Sequence, residues 1–249
     1  MPTKCPPSSR VSAPIICDNA ANTGAARSPP TGASCAANAA STGDAGVAGG
    51  ALLAAFPLIR PWGDKAGGPA DMVDAFASPM WVAAHVAGMG GFVFLAAAVV
   101  AWRRRHGANA GGIPWWVASG VALMLPFFGA ETFGLHVIAG SAPQGQAIAA
   151  ANAIREGTVQ LTMFAAGLLL IAVGAVLLAR RDRSATLLSF ALVTYLPQFF
   201  VAPQLRVAHG VVLFAGAAWW AWSLVRTPRP ALAPPQNSMV GEAMLLTRQ

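Results

Sequence analysis

Glu131 lies within the apolar run Pro114 to Ala139, where an ionisable side chain is costly unless it is protonated, paired or facing an aqueous cavity. That cost makes Glu131 the first candidate for a proton or solute pathway. His85, His136 and His209 stand in three different apolar runs, each within about 8 Å of the same end at a rise of about 1.5 Å per residue. Three imidazoles at one level supply the ligand types for a transition metal, or for a haem held by two of them. Glu131 and His136 do not share one centre easily, because five residues turn a helix by about 140°. Tyr195, the single tyrosine, and Gln198 fall at comparable depth, and Gln160 falls at the boundary. With Glu131 they make up the candidate pathway. Depth alone gives Glu131 the partners Tyr195, His85 and His209. Pro126 adds a polar step by leaving the Ala122 carbonyl without its helical donor.

The elements that have to position these residues are membrane helices. Hydrophobic residues make up 55% of the 249 and charged residues 10%, against roughly 25% charged in a soluble domain. The apolar residues gather in blocks of about twenty, enough to cross ~30 Å of hydrocarbon as a helix. The blocks are Ala45 to Ile59, Met80 to Trp102, Pro114 to Ala139, Thr158 to Ala179, Ala185 to Val201 and Arg206 to Val225. The expected fold class is therefore all-α, a polytopic transmembrane helix bundle with a disordered N-terminal tail. It has six spans, or five if the short first block, which holds Pro57, does not cross. Residues 1–44 read as a disordered cytoplasmic tail, 45–226 as the bundle and 227–249 as a cytoplasmic C-terminal tail. Arg60 to Pro79 is polar and rich in Pro and Gly and reads as a loop. Gln144 to Ile154, with Ile148, Ala151 and Ile154 at helical spacing, reads as a short cap along the interface over the polar cluster.

Charge sets the orientation. The first tail (Lys4, Arg10, Arg27), the Arg103 to Arg105 turn, the Arg180 to Arg183 turn and the C-terminal segment (Arg226, Arg229, Arg248) hold twelve basic residues, and the intervening loops hold Arg60, Lys65, Arg155 and Arg206. By the positive-inside rule both termini face the cytoplasm, in a cytoplasmic (inner) membrane. Trp81, Trp102, Trp115, Trp116 and Trp219 to Trp222 fit the interfacial belts. The net charge of +7 is explained by this topology and not by a nucleic-acid face. Arg206 and Glu156 fall at the outer surface within reach of one another. Cys5, Cys17 and Cys35 have no metal-ligand or disulfide spacing, and the sequence contains no phosphate-binding loop, metalloprotease motif or nucleophile elbow.

The partner these residues require is a lipid bilayer. Small residues four apart, Ala84 and Gly88, Ala87 and Gly91, Ala130 and Gly134, allow close helix contacts within one chain, in a homo-oligomer or with a membrane partner subunit. Three functions fit, in this order: a small permease or proton-coupled carrier with an outward-facing Glu/His cluster; a membrane-embedded haem or metal-binding redox protein; and a non-catalytic membrane subunit. No residue pattern specifies a substrate or a reaction.

Overall fold

A computed structural model describes residues 32–226, with side chains from residue 42. Cys5, Cys17, the side chain of Cys35 and the expected C-terminal tail lie outside the described residues. The chain forms α1 (Gly32–Ile59), α2 (Gly63–Ala66), α3 (Pro69–Ala77), α4 (Pro79–His106), α5 (Ile113–Gly129), α6 (Leu135–Ser141), α7 (Gln144–Glu156), α8 (Thr158–Arg181), α9 (Thr186–Val193) and α10 (Pro203–Arg226). A π-helical turn, Ala130–Gly134, joins α5 to α6 as one continuous apolar span. This is an all-α polytopic transmembrane bundle, with five helices long and apolar enough to cross a bilayer.

Local signals explain the ends. Ser78 caps α4 by accepting the Met80 N–H, with Pro79 in the first turn, where its missing N–H costs nothing. The helix stops after Arg103 to His106 at Gly107, which has φ +58°. The segment expected to be a loop between residues 60 and 79 instead folds into α2 and α3, the latter closed at its start by the Asp71 carboxylate accepting the Gly68 N–H at 2.8 Å. The first helix begins at Gly32, ahead of the apolar run that starts at Ala45.

The expected fifth block is a broken crossing. Its α-helical part, α9, has eight residues and rises about 12 Å, too little to span alone. Thr194 ends it by donating its hydroxyl to the Phe190 carbonyl at 2.9 Å, and a 3-10 turn, Pro197–Phe200, follows. The chain nevertheless returns to the opposite end. Asp182, before α9, accepts the indole N–H of Trp102 at 3.2 Å and of Trp220 at 3.1 Å, whereas Arg206, after it, lies 5.5 Å from the Trp62 ring beside the end of α1. The described chain thus runs between the two ends of the bundle six times, five of those passages being helices long and apolar enough to cross a bilayer, and α1 and α10 bring residues 43 and 225 together at one end. Arg103, Arg104, Arg180, Arg181, Arg183 and Arg226 make this the arginine end of the bundle.

Asp182 closes this end of the bundle by joining α4 and α10 through one carboxylate oxygen. Asp182→Asn keeps the shape but replaces charge-assisted bonds with neutral ones, so it is expected to lower stability by about 1 kcal/mol. Thermal unfolding in detergent measures this, and an unchanged midpoint would show that the two indoles do not depend on the carboxylate's charge.

Packing divides the helices into two groups. α1 lies along both α4 and α10, and α5 lies along α8, with α9 wedged between α8 and α10. Glycines set the seams. A Cβ on Gly91 would stand 2.6 Å from Leu53 and 3.0 Å from the Gly49 carbonyl, and one on Gly120 would stand 2.5 Å from the Gly167 carbonyl. Backbones this close exchange dispersion contacts that larger residues would prevent. Between the groups the interior is filled by Phe56, Phe92, Phe128, Phe164, Tyr195 and Phe199, mostly edge-on to one another.

Candidate functional site

Opposite the arginine end, α3 and α7 fold over the helix ends around a second, smaller core of Phe76, Trp81, Leu135 and Ala151. The apolar face of α7 that contains Ala151 and Ile154 turns inward against this core, which brings the following residue, Arg155, over the bundle. Its guanidinium bridges two carboxylates from separate parts of the chain: Nε donates to Glu131 Oε1 at 2.7 Å and Nη2 donates to Asp64 Oδ2 at 2.8 Å. Arg60 Nη2 donates to the same Asp64 oxygen at 2.7 Å. The Asp64 side chain is fully buried and that of Arg60 is 4% exposed. Aromatic faces complete the cage, with the Arg60 guanidinium 4.5 Å from the Trp62 ring and 4.7 Å from the Trp81 ring.

The π turn aims Glu131. It widens the helix by one residue, starting four residues after Pro126, and the Glu131 carbonyl accepts the Trp81 indole N–H at 2.9 Å. The Glu131 carboxylate faces inward, and its second oxygen, Oε2, lies 3.8 Å from His85 Nε2. His85 Nδ1 lies 2.7 Å from the Trp81 carbonyl. A carbonyl oxygen only accepts, so Nδ1 carries hydrogen and the neutral ring presents its Nε2 lone pair to the carboxylate. The two acceptors face each other at 3.8 Å, beyond hydrogen-bond reach.

Charge in the capping layer is set by competition between burial and pairing. Burial pushes the Asp64 carboxyl up, and the guanidiniums of Arg60 and Arg155 outweigh it, so the group is held below its ordinary value. Arg155 is pushed down by burial and raised further by Glu131 and Asp64, with a net upward shift. Arg60 and Lys65 are both shifted downward, chiefly by burial. Two of the Arg60 nitrogens, Nε and Nη1, and the Asp64 Oδ1 have no hydrogen-bond partner among the described residues.

Of the residues singled out from sequence, Glu131 and His85 are brought together. His136 turns its Nδ1 to the Phe76 carbonyl at 2.9 Å, and His209 turns its Nε2 to the Ala191 carbonyl at 2.9 Å and the Thr194 hydroxyl at 3.1 Å. No three His, Cys, Asp or Glu side chains among the described residues are grouped to hold a metal ion. Tyr195 stands in the aromatic layer, with ring centroids 4.9 Å from Phe92 and 5.7 Å from His209. Gln198 is buried and Gln160 is exposed on the first turn of α8. Arg206 bonds the carbonyls of Val201 and Phe199 rather than Glu156.

Sequence reasoning missed Arg60, Asp64 and Arg155 as members of the site. A usable signal was present in the four-residue spacing of Arg60 and Asp64 around Trp62, and in Arg155 beside the apolar stripe of α7.

The fold and site together define a polytopic transmembrane helix bundle with a buried ion-pair network beneath a helical cap. Compared with known proteins, the chain matches no family model, no curated protein and no solved structure.

Proposed function

We propose that this chain is a small proton-coupled permease of the cytoplasmic membrane, with both termini in the cytoplasm and the network serving as its closed outer gate. The observation that carries the reading is the Glu131 and His85 pair, two acceptors 3.8 Å apart within a span, with the other Glu131 oxygen held by Arg155. One proton added at His85 Nε2 makes an imidazolium that competes with Arg155 for the same carboxylate. Weakening the Arg155 bond loosens α7, and with it the bridge to Asp64, which ties α5 to the end of α1. Protonation is thereby coupled to separation of the two helix groups. The orientation rests on the arginine-rich end facing the cytoplasm.

Glu131→Gln keeps the shape of the side chain and removes its charge. In proteoliposomes containing a pH-sensitive dye, wild type is expected to dissipate an imposed pH gradient faster than protein-free vesicles, with Glu131→Gln returning the rate to background. Equal rates for wild type and protein-free vesicles would refute the proton-coupled reading. A Glu131→Gln variant as fast as wild type would remove Glu131 from the path.

A further inference from the structure

The grooves flanking α9 are not explained by the gate. Because α9 is short and ends at Thr194, it leaves two open grooves, one on each side. The first, about 470 Å³, runs along α8 past Val176, Ala179 and Val193; the second, about 500 Å³, runs past Leu187 and Trp219. Both contain Arg183, Thr186 and Phe190, so they meet at the arginine end and are separated by the Phe190 ring, which is 60% exposed.

We infer that the two grooves form one binding site for an anionic diacyl phospholipid, with its phosphate at Arg180 and Arg183 and one acyl chain on each side of Phe190. Three observations support a single occupant of this chemistry. Val176, Ala179, Leu187, Phe190 and Val193 give the walls their apolar surface, Arg180 and Arg183 stand at one end, and neither arginine has an ion-pair partner among the described residues. The length of α9, about 12 Å, is close to half of a ~30 Å hydrocarbon core, so a chain lying beside it ends near the bilayer centre. Trp219 sits beside the shared end, at the level where indoles meet headgroups. Basic pockets between helices are the usual seats of anionic headgroups. The inference is independent of the permease reading.

The test uses the full-length chain in nanodiscs made from phosphatidylglycerol and phosphatidylcholine with identical chains, followed by native mass spectrometry of the retained lipid. The expected result is one phosphatidylglycerol retained per protein in preference to phosphatidylcholine. Arg180→Gln with Arg183→Gln is expected to lower that preference about thirtyfold, from roughly one tenfold step per ~1.4 kcal/mol and ~1 kcal/mol per arginine. Arg103→Gln with Arg104→Gln, at the same end but away from the grooves, should leave it unchanged. Val176→Trp, which fills the first groove, should lower retention without changing the headgroup arginines. Equal retention of the two lipids, or an undiminished preference in the Arg180/Arg183 variant, would overturn the site. Full displacement by soluble glycerol phosphate would also overturn it, by showing that the chains contribute nothing.

Discussion

Asp64→Ala is expected to lower the stability of the bundle by about 3–5 kcal/mol, the cost of leaving buried charges without their counterion. Arg60 and Arg155 both donate to one Asp64 oxygen, and the Arg60 side chain is almost wholly withdrawn from solvent. Without the carboxylate the two guanidiniums face each other with only Glu131 beside them. Replacing the pair together, Arg60→Met with Asp64→Leu, should recover most of the loss, because Arg155 keeps its 2.7 Å bond to Glu131. Denaturant titration of the purified variants measures both effects, and a double variant as unstable as Asp64→Ala would show that the cost lies in packing and not in charge. The same carboxyl sets an acid limit. Its folded pKa lies below the ordinary value, so its stabilising contribution is complete above ~3.9 and is lost as pH falls through the folded value. Asp64→Asn should therefore flatten the fall in melting temperature at the acid end of that range.

Gly120→Ala is expected to cost about 1–3 kcal/mol through overpacking. The added methyl would stand 2.5 Å from the Gly167 carbonyl oxygen and 2.9 Å from the Ile171 nitrogen, and the reciprocal change at Gly167 meets the Gly120 carbonyl at 2.6 Å. These are backbone atoms, so α5 and α8 have to part along their length instead of one side chain swinging away. Gly129→Ala is the matched control in the same helix. Nothing lies within 4 Å of a Cβ there, so it should be neutral or stabilising by up to about 1 kcal/mol. Equal losses at the two positions would show that the seam at Gly120 is not tight.

The helices could be read from sequence because an apolar block and its flanking arginines carry their own meaning. Met80 to Trp102 falls within α4 and Thr158 to Ala179 within α8. The site was only partly legible, for a physical reason. Position along a helix gives depth, but not rotation about the helix axis. His209 matches His85 in depth, yet it turns to the Ala191 carbonyl while His85 faces Glu131. Arg60 and Asp64 sit in a stretch whose Pro, Gly and charge content resembles a solvated loop, and only the cap above them makes them interior. The break after α9 was foreshadowed by Thr194 and Pro197 within the fifth block.

The pairing of α1 with α10 has a consequence for biosynthesis. Gly50 of the first helix lies against Ala217 of the last, and Gly210 of the last lies against Ala54 and Pro57. Chains are made from the N-terminus at about 5–20 residues per second, so that face of α1 is made well before the α10 face that covers it. The bundle cannot close progressively as it is inserted. A nascent chain stalled before residue 203 would display an unfilled small-residue groove to any neighbouring membrane helix, which makes the 24 residues of α10 the step that commits the protein to its own fold.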